Sequence, residues 1–528
     1  MSTNESVEIV STKPPEGNTA QPQLKRTLKT RHLNMIAIGG ALGTGLFMAS
    51  GATISTAGPG GALFAYSLIG FMVYFIMTSL GEMATYMPVS GSFETYASKF
   101  VDPAFGFAVG WNYWLSWAIT LAVEVVAGAL VMKFWFPNTP AAYWSALFLV
   151  VLFGLNFLST RAYGESEFIF ASIKVGMVLV FLFFGALLTL GIIGDTPSPG
   201  FANWTIGDAP FVGGLGSLIS VAMIAGFSFQ GTEMVGIAAG ESENPQETVP
   251  KAIRSIFWRI LIFYVGTMLV IGFLLPYTDP NLLKTDVENV SVSPFTLVLS
   301  RTGLNAAASL MNFVILTAVL SCGNSGLYAS TRMLYAMAKS GKAPKIFAKV
   351  NRRGVPTNAL FCTTSFGLFA FLTSFIGEGT AYTWLVNVSG LTGFIIWLGI
   401  AICHYRFRRA FIAQGKDLAT LPFKASFFPY GVYFAIALCL IVTLGQDYEA
   451  VYCFLTNQPI DWGGAIATYI GIPIVLAFYF WFKHKYKTKL IPLKDIDLSV
   501  NEPDLMTDAA ASISPDTTTE QNTEGTKQ

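Results

Sequence analysis

Two apolar segments, each long enough to cross a bilayer, are broken by glycine near their middles. The first, Met35-Ile36-Ala37-Ile38-Gly39-Gly40-Ala41-Leu42-Gly43-Thr44-Gly45-Leu46-Phe47, carries four glycines. The second, Gly226-Phe227-Ser228-Phe229-Gln230-Gly231-Thr232-Glu233, lies far downstream. Unwound backbone survives in a bilayer only where protein buries it or where it lines a watery cavity. Broken segments at corresponding places in two halves of a chain mark the binding site of repeat-built solute carriers. The pattern implies an all-α integral membrane protein with a pathway for a small solute.

Composition agrees. The 528 residues are 53% hydrophobic and only 12% charged, whereas soluble domains carry about 25% charged residues. A net charge of +1 argues against nucleic acid as a partner. Five scattered cysteines show neither disulfide nor metal-site spacing, so no metal or other cofactor is expected. No His-Glu-x-x-His motif and no nucleophile–histidine pairing lies within a span, which argues against an intramembrane enzyme.

Apolar runs of about 17 to 25 residues predict about 12 transmembrane helices, near 33–56, 61–86, 105–133, 142–160, 168–193, 215–240, 253–277, 304–338, 360–376, 380–403, 431–447 and 463–483. Lysine and arginine collect in alternate loops, as at Lys99, Arg161, Lys251, Lys342 and Arg406. The intervening loops hold acids such as Asp279, Asp286 and Glu378. That asymmetry predicts cytoplasmic N- and C-termini. With both breaks facing one cavity, 33–193 and 215–403 form two five-helix repeats. Five is odd, so the second repeat is inverted, and 431–483 supplies helices 11 and 12 outside the repeat. Residues 1–32 form a cytoplasmic N-terminal segment, and 493–528 read as a disordered cytoplasmic tail.

A broken helix presents free N–H groups on one side of the break and free C=O groups on the other, with the matching dipole potentials. The turn at Gly43, Thr44 and Gly45 can hold a carboxylate through backbone amides and the Thr44 hydroxyl. Carbonyls around Ile38 and Gly39, and around Phe227 and Ser228, can hold an ammonium. Together they suit the zwitterionic head of an amino acid. Gly39 and Gly43 also satisfy a small-xxx-small helix-packing motif.

Ionisable groups inside spans default to functional candidates. Glu233 follows the second break and should face the cavity. Glu241, near the cytoplasmic end of the same helix, reads equally as a pathway residue and as a loop carboxylate. Glu124 either pairs with Lys133 or contacts the substrate. Lys174 either snorkels to the interface or, being desolvated, carries a proton; a nearby carboxylate such as Glu124 would make its protonation depend on conformation. Tyr113 and Trp117, at i and i+4, share a helix face and can stack on a cation.

Several motifs carry a family resemblance: Arg31-His32-Leu33, Gly58-Pro59-Gly60-Gly61-Ala62, Met87-Pro88-Val89-Ser90-Gly91-Ser92-Phe93, Trp111-Asn112-Tyr113-Trp114, Gly240-Glu241-Ser242-Glu243 and both glycine breaks. From about Leu28 to Phe482 the chain resembles permeases of the amino acid–polyamine–organocation superfamily, in its amino acid transporter branch. The resemblance implies a LeuT-like 5+5 inverted repeat with helices 1 and 6 broken. It implies proton-coupled import of an amino acid, lysine first, across the cytoplasmic (inner) membrane by alternating access, without sodium. Its partners would be the amino acid, protons and the lipid bilayer. Lys174 would stand where sodium-coupled relatives hold their ion. Tyr113, Trp117, Lys174, Phe227, Glu233 and Glu241 would lie on the lysine pathway. The same head-group site fits arginine, an aromatic amino acid or 4-aminobutyrate, and the same fold fits an amino acid/amine exchanger.

Overall fold

The computed structural model describes residues 42–89, 91–158, 160–193, 198–240, 244–282, 293–300 and 305–499, together with Met35 and Ser242. Ile38, Gly39, Glu241 and Asp286 lie outside the described residues. The helices, in chain order, are α1 (Thr44–Phe47), α2 (Ala49–Tyr86), α3 (Phe93–Phe100), α4 (Pro103–Met132), α5 (Ala141–Leu158) and α6 (Thr160–Thr189). There follow α7 (Gly214–Phe229), α8 (Met234–Ala239), α9 (Pro245–Arg259), α10 (Gly266–Leu274), α11 (Pro294–Ser300) and α12 (Asn305–Lys339). The last are α13 (Thr357–Phe366), α14 (Glu378–Ala413), α15 (Tyr430–Gly445), α16 (Tyr448–Leu455), α17 (Trp462–Tyr469) and α18 (Gly471–Tyr486). No strand is present among the described residues. Nine helices are long and apolar enough to cross a membrane, or eleven if the bent pairs α15–α16 and α17–α18 each make one span, among the described residues.

α4 is the axis of the bundle. Its most apolar stretch is 94% buried inside the protein, against 28% for α6. Both are hydrophobic all round, so the difference tells which one is enclosed by helices and which one meets lipid. α4 begins cleanly because Asp102 accepts the Ala104 N–H at 2.9 Å and Pro103 needs no partner at the first helical position. α12 and α14 pack along it. Phe183 on α6 and Val150 on α5 remain exposed, as lipid-facing side chains do.

Gly58 breaks α2 with φ +74°, a conformation glycine adopts at low cost. The Gly60 and Gly61 amides there donate to the Pro210 carbonyl at 2.9 and 3.2 Å. This break falls between the first and second spans read from the sequence.

One end of the bundle is tied by buried charge. Glu82, fully buried, accepts from the Arg408 guanidinium with both oxygens and from the Ala425 N–H at 2.7 Å. Lys342 pairs with Glu94 in an equally buried contact between the end of α12 and α3. The chain after α18 crosses this same end. Ile491 N–H donates to the Val101 carbonyl at 3.0 Å, Gln414 Nε2 to the Ile496 carbonyl at 2.7 Å, and Tyr86 Oη to the Leu498 carbonyl at 2.8 Å. Lys99 and Asp497 close the strap at 2.7 Å. Ile496 and Leu498 are buried. Residues 493–499, read from composition as the head of a disordered tail, therefore pack on the helices. They hold through backbone carbonyls, two buried aliphatic side chains and the Lys99–Asp497 ion pair.

Candidate functional site

The two glycine breaks meet. At the first, Gly43 is extended (φ −129°, ψ −152°), α1 makes a single turn, and Met48 kinks the chain before α2. At the second, α7 stops at Phe229, Gly231 takes φ +96°, and α8 starts at Met234. A Cβ placed on Gly45 would lie 2.4 Å from the Ser228 Cα, so the backbones touch there. Tyr66 fastens the contact from α2, its hydroxyl 2.8 Å from the Ser228 hydroxyl and donating weakly to the Gly45 carbonyl at 3.5 Å.

Around this crossing is a cavity of ≈ 10 Å³ lined by residues that include Gly43, Gly45, Trp117, Glu124, Phe227 and Ser228. That is room for about one water molecule. All six are site candidates from the sequence. Thr120, Gln230 and Cys322 complete the lining. Thr44 donates its hydroxyl to Glu124 Oε1 at 3.0 Å. Glu124 Oε2, Tyr113 Oη and Tyr382 Oη are buried without a hydrogen-bond partner among the described residues. Buried polar atoms are nearly always paired, so these three make the region ready for a polar guest. Tyr113 meets Trp117 edge-on with ring centroids 6.4 Å apart, confirming that they share a face.

Glu233 is placed differently from the expectation. It is buried directly after the break and is not among the residues that line the cavity; its carboxylate lies against its own turn. It accepts the Gly231 N–H at 3.0 Å and the Trp397 indole N–H at 3.3 Å. Glu124 does not pair with Lys133, because that lysine is taken by Glu378 at 2.5 Å. Lys174 does not snorkel: it is wholly buried and stands 3.9 Å from Glu167. His404 is also wholly buried, with Nε2 3.3 Å from Glu82.

Glu167 is a functional candidate that hydropathy alone does not reveal. A hydropathy boundary at 168 puts it in a loop, whereas α6 begins at Thr160 and encloses it. Its spacing from Lys174, seven residues or about two helical turns, was the available signal. Gln230 could be found only in the structure, where its amide donates to the Ser389 carbonyl at 3.0 Å and joins α14 to the second break.

Comparison with known proteins supplies an independent line. Residues 32–493 match the family described as amino acid permease. The lysine-specific permease LysP of Escherichia coli is 59% identical over 484 residues, covering 92% of this chain and 98% of that protein. The LysP of Lactococcus lactis is 52% identical, covering 91% and 94%. The histidine permease HisP of the same bacterium is 49% identical, covering 91% and 99%.

Proposed function

Because the chain belongs to the amino acid permease family, we propose that it imports L-lysine across the cytoplasmic membrane, driven by protons, by alternating access in a LeuT-like inverted repeat. The observation that carries this reading is the meeting of the two breaks over a buried polar cavity beside Glu124. Its relatives named as lysine-specific permeases support the choice of cargo. The loop distribution of lysine and arginine supports cytoplasmic termini.

In this reading the extended backbone at Gly43 and the Thr44 hydroxyl receive the α-carboxylate once Thr44 lets go of Glu124. Glu124 Oε2 then has an ammonium to pair with. Trp117 and Tyr113 line the path of the aliphatic stem and its terminal charge. Glu233 acts at one remove, holding Gly231 in its left-handed conformation and Trp397 against the break. Lys174 takes the place of a coupling ion and cycles its proton as the two halves rock. An amino acid is far larger than a cavity of ≈ 10 Å³, so binding requires the breaks to part. Opening and binding are therefore one event, as alternating access needs.

The test is uptake of labelled lysine into proteoliposomes, with and without an imposed inward proton gradient. Arginine, histidine, an aromatic amino acid and 4-aminobutyrate serve as competitors. Accumulation should require the gradient, need no internal substrate, and be competed best by unlabelled lysine. Lys174→Ala should abolish accumulation while lysine binding stays measurable. Uptake that needs an internal amine would make the protein an exchanger, and stronger competition by another amino acid would reassign the cargo.

A further inference from the structure

Lys174 and Glu167 lie on one helix, α6, at positions i+7 and i. Seven residues advance the helix axis by about 10.5 Å, yet Lys174 Nζ stands 3.9 Å from Glu167 Oε1. The gap closes because side chains on a helix lean toward its N-terminus and the lysine stem is long enough to reach back. Both side chains are completely buried. Ser321, on α12, donates to the same Oε1 at 2.6 Å and holds the carboxylate in place. Glu167 Oε2 has no hydrogen-bond partner among the described residues. A buried carboxylate so arranged draws its compensation from the nearby ammonium, and removing one member of such a pair leaves an uncompensated charge.

Among the described residues, the other titratable groups within electrostatic reach of Lys174 are Cys322 on α12 and Glu124 on α4. Glu124 is the acid at the cavity, engaged by Thr44. Lys174 thus feels both the carboxylate at the cavity and the one on its own helix, toward the N-terminal end of α6. A separation of 3.9 Å is a charge contact and not a hydrogen bond. The ammonium can leave Glu167 without breaking a directed bond to it.

From this geometry we propose that Glu167 is the positioning residue for Lys174, holding the ammonium back from the cavity in the closed form and setting the pH at which it gives up its proton. The proposal rests on the proton-coupling reading of Lys174. The sign follows from the charges: without the carboxylate the ammonium loses the negative charge 3.9 Å away, so Lys174 deprotonates at lower pH.

Glu167→Gln keeps the size of the side chain and removes its charge. In gradient-driven lysine uptake, the alkaline limit of the pH profile should move down by about 1–3 units. Lysine binding to the purified protein at acidic pH should stay within about threefold, since the charge removed lies outside the cavity. Glu167→Asp keeps the charge but draws it back by about 1.5 Å, one C–C bond, and should move the limit the same way by at least about half a unit. An alkaline limit unmoved in whichever of the two variants reaches the membrane overturns the proposal. Lys174→Ala, assayed in parallel, separates the two ideas. If it abolishes accumulation while the Glu167 variants keep the normal profile, only the role of Glu167 falls. If Lys174→Ala still accumulates lysine on a pH gradient, the coupling reading falls and this proposal falls with it.

Discussion

At the scale of single residues, the two breaks touch where Gly45 meets the Ser228 backbone. An added methyl at Gly45 would meet the Ser228 Cα at 2.4 Å, its hydroxyl at 2.7 Å and its amide nitrogen at 2.9 Å. Two of those three atoms are backbone, so no rotamer change can make room. Gly45→Ala should therefore push the two breaks apart. The expected cost is about 1–3 kcal/mol in stability, with loss of gradient-driven uptake. Gly154→Ala is the control, because a Cβ there meets nothing within 4 Å. It should be neutral, or stabilising by up to about 1 kcal/mol. Thermal unfolding of the purified variants, alongside uptake, checks both. Equal behaviour of the two alanines would mean that the crossing of the breaks tolerates slack. Gly43 is a softer case: its nearest neighbours are the Cys322 side chain at 2.8 Å and Glu124 Oε1 at 3.1 Å.

Among the elements, the strap at 489–499 shows what sequence patterns do and do not carry. The glycine breaks were legible because glycine inside an apolar run contradicts its surroundings. The strap was not, because most of its ties are carbonyls, those of Ile491, Ile496 and Leu498 among them, groups that any sequence presents. The same reason hid Gln230, whose partners are the Ser389 and Gly390 carbonyls. Glu167 was hidden by a different cause: Glu165-Ser166-Glu167 lowers local hydropathy, so an apolar run starts only after it, at 168, though the helix begins at Thr160. The strap also makes a pH prediction. Burial pushes the Asp497 carboxyl up, but the bond from Lys99 and those from Ser499 outweigh it and hold the group below its usual range. A lowered folded-state value means that the contribution to stability is present above the unfolded value of about 3.9. It is lost as pH falls through the folded value. Protection of 489–499 from proteolysis should be constant from about pH 5 to 8 and fall away below about pH 4. Asp497→Asn should be less protected than the parent at neutral pH. Since Asp497 is half exposed, the effect belongs to the strap alone and should leave the unfolding temperature of the bundle nearly unchanged. Strap cleavage that is equally slow in both proteins would remove the ion pair from the account.

For the whole molecule, the distribution of ties suggests which parts travel together. Breaking a buried ion pair by losing one partner costs about 3–5 kcal/mol. Motion should therefore leave Glu94–Lys342 and Glu82–Arg408 intact and use the softer contact between the breaks. Cys322 is placed to report that motion, lying against Gly43 and Glu124 and being 5% exposed. In a variant with Cys362, Cys403, Cys439 and Cys453 replaced by alanine, a small neutral thiol reagent should label Cys322 slowly. Saturating lysine should slow the labelling by at least about threefold, because cargo and reagent compete for the same opened space. A labelling rate indifferent to lysine would place the cargo elsewhere.

The contact of Gly45 with Ser228 also bears on how the protein is made. Tyr66 and Ser228, the pair that fastens the crossing, are 162 residues apart in the chain. When the first broken segment enters the membrane, the backbone that will cover its gap has not yet been synthesised. For that interval its amides and carbonyls face lipid or an insertion factor, an unfavourable state for unpaired backbone. Assembly of the carrier is thus committed only after α7 arrives. A ribosome stalled between the two breaks should leave a nascent chain that stays crosslinkable to the insertion machinery, and release should follow once the second break is out.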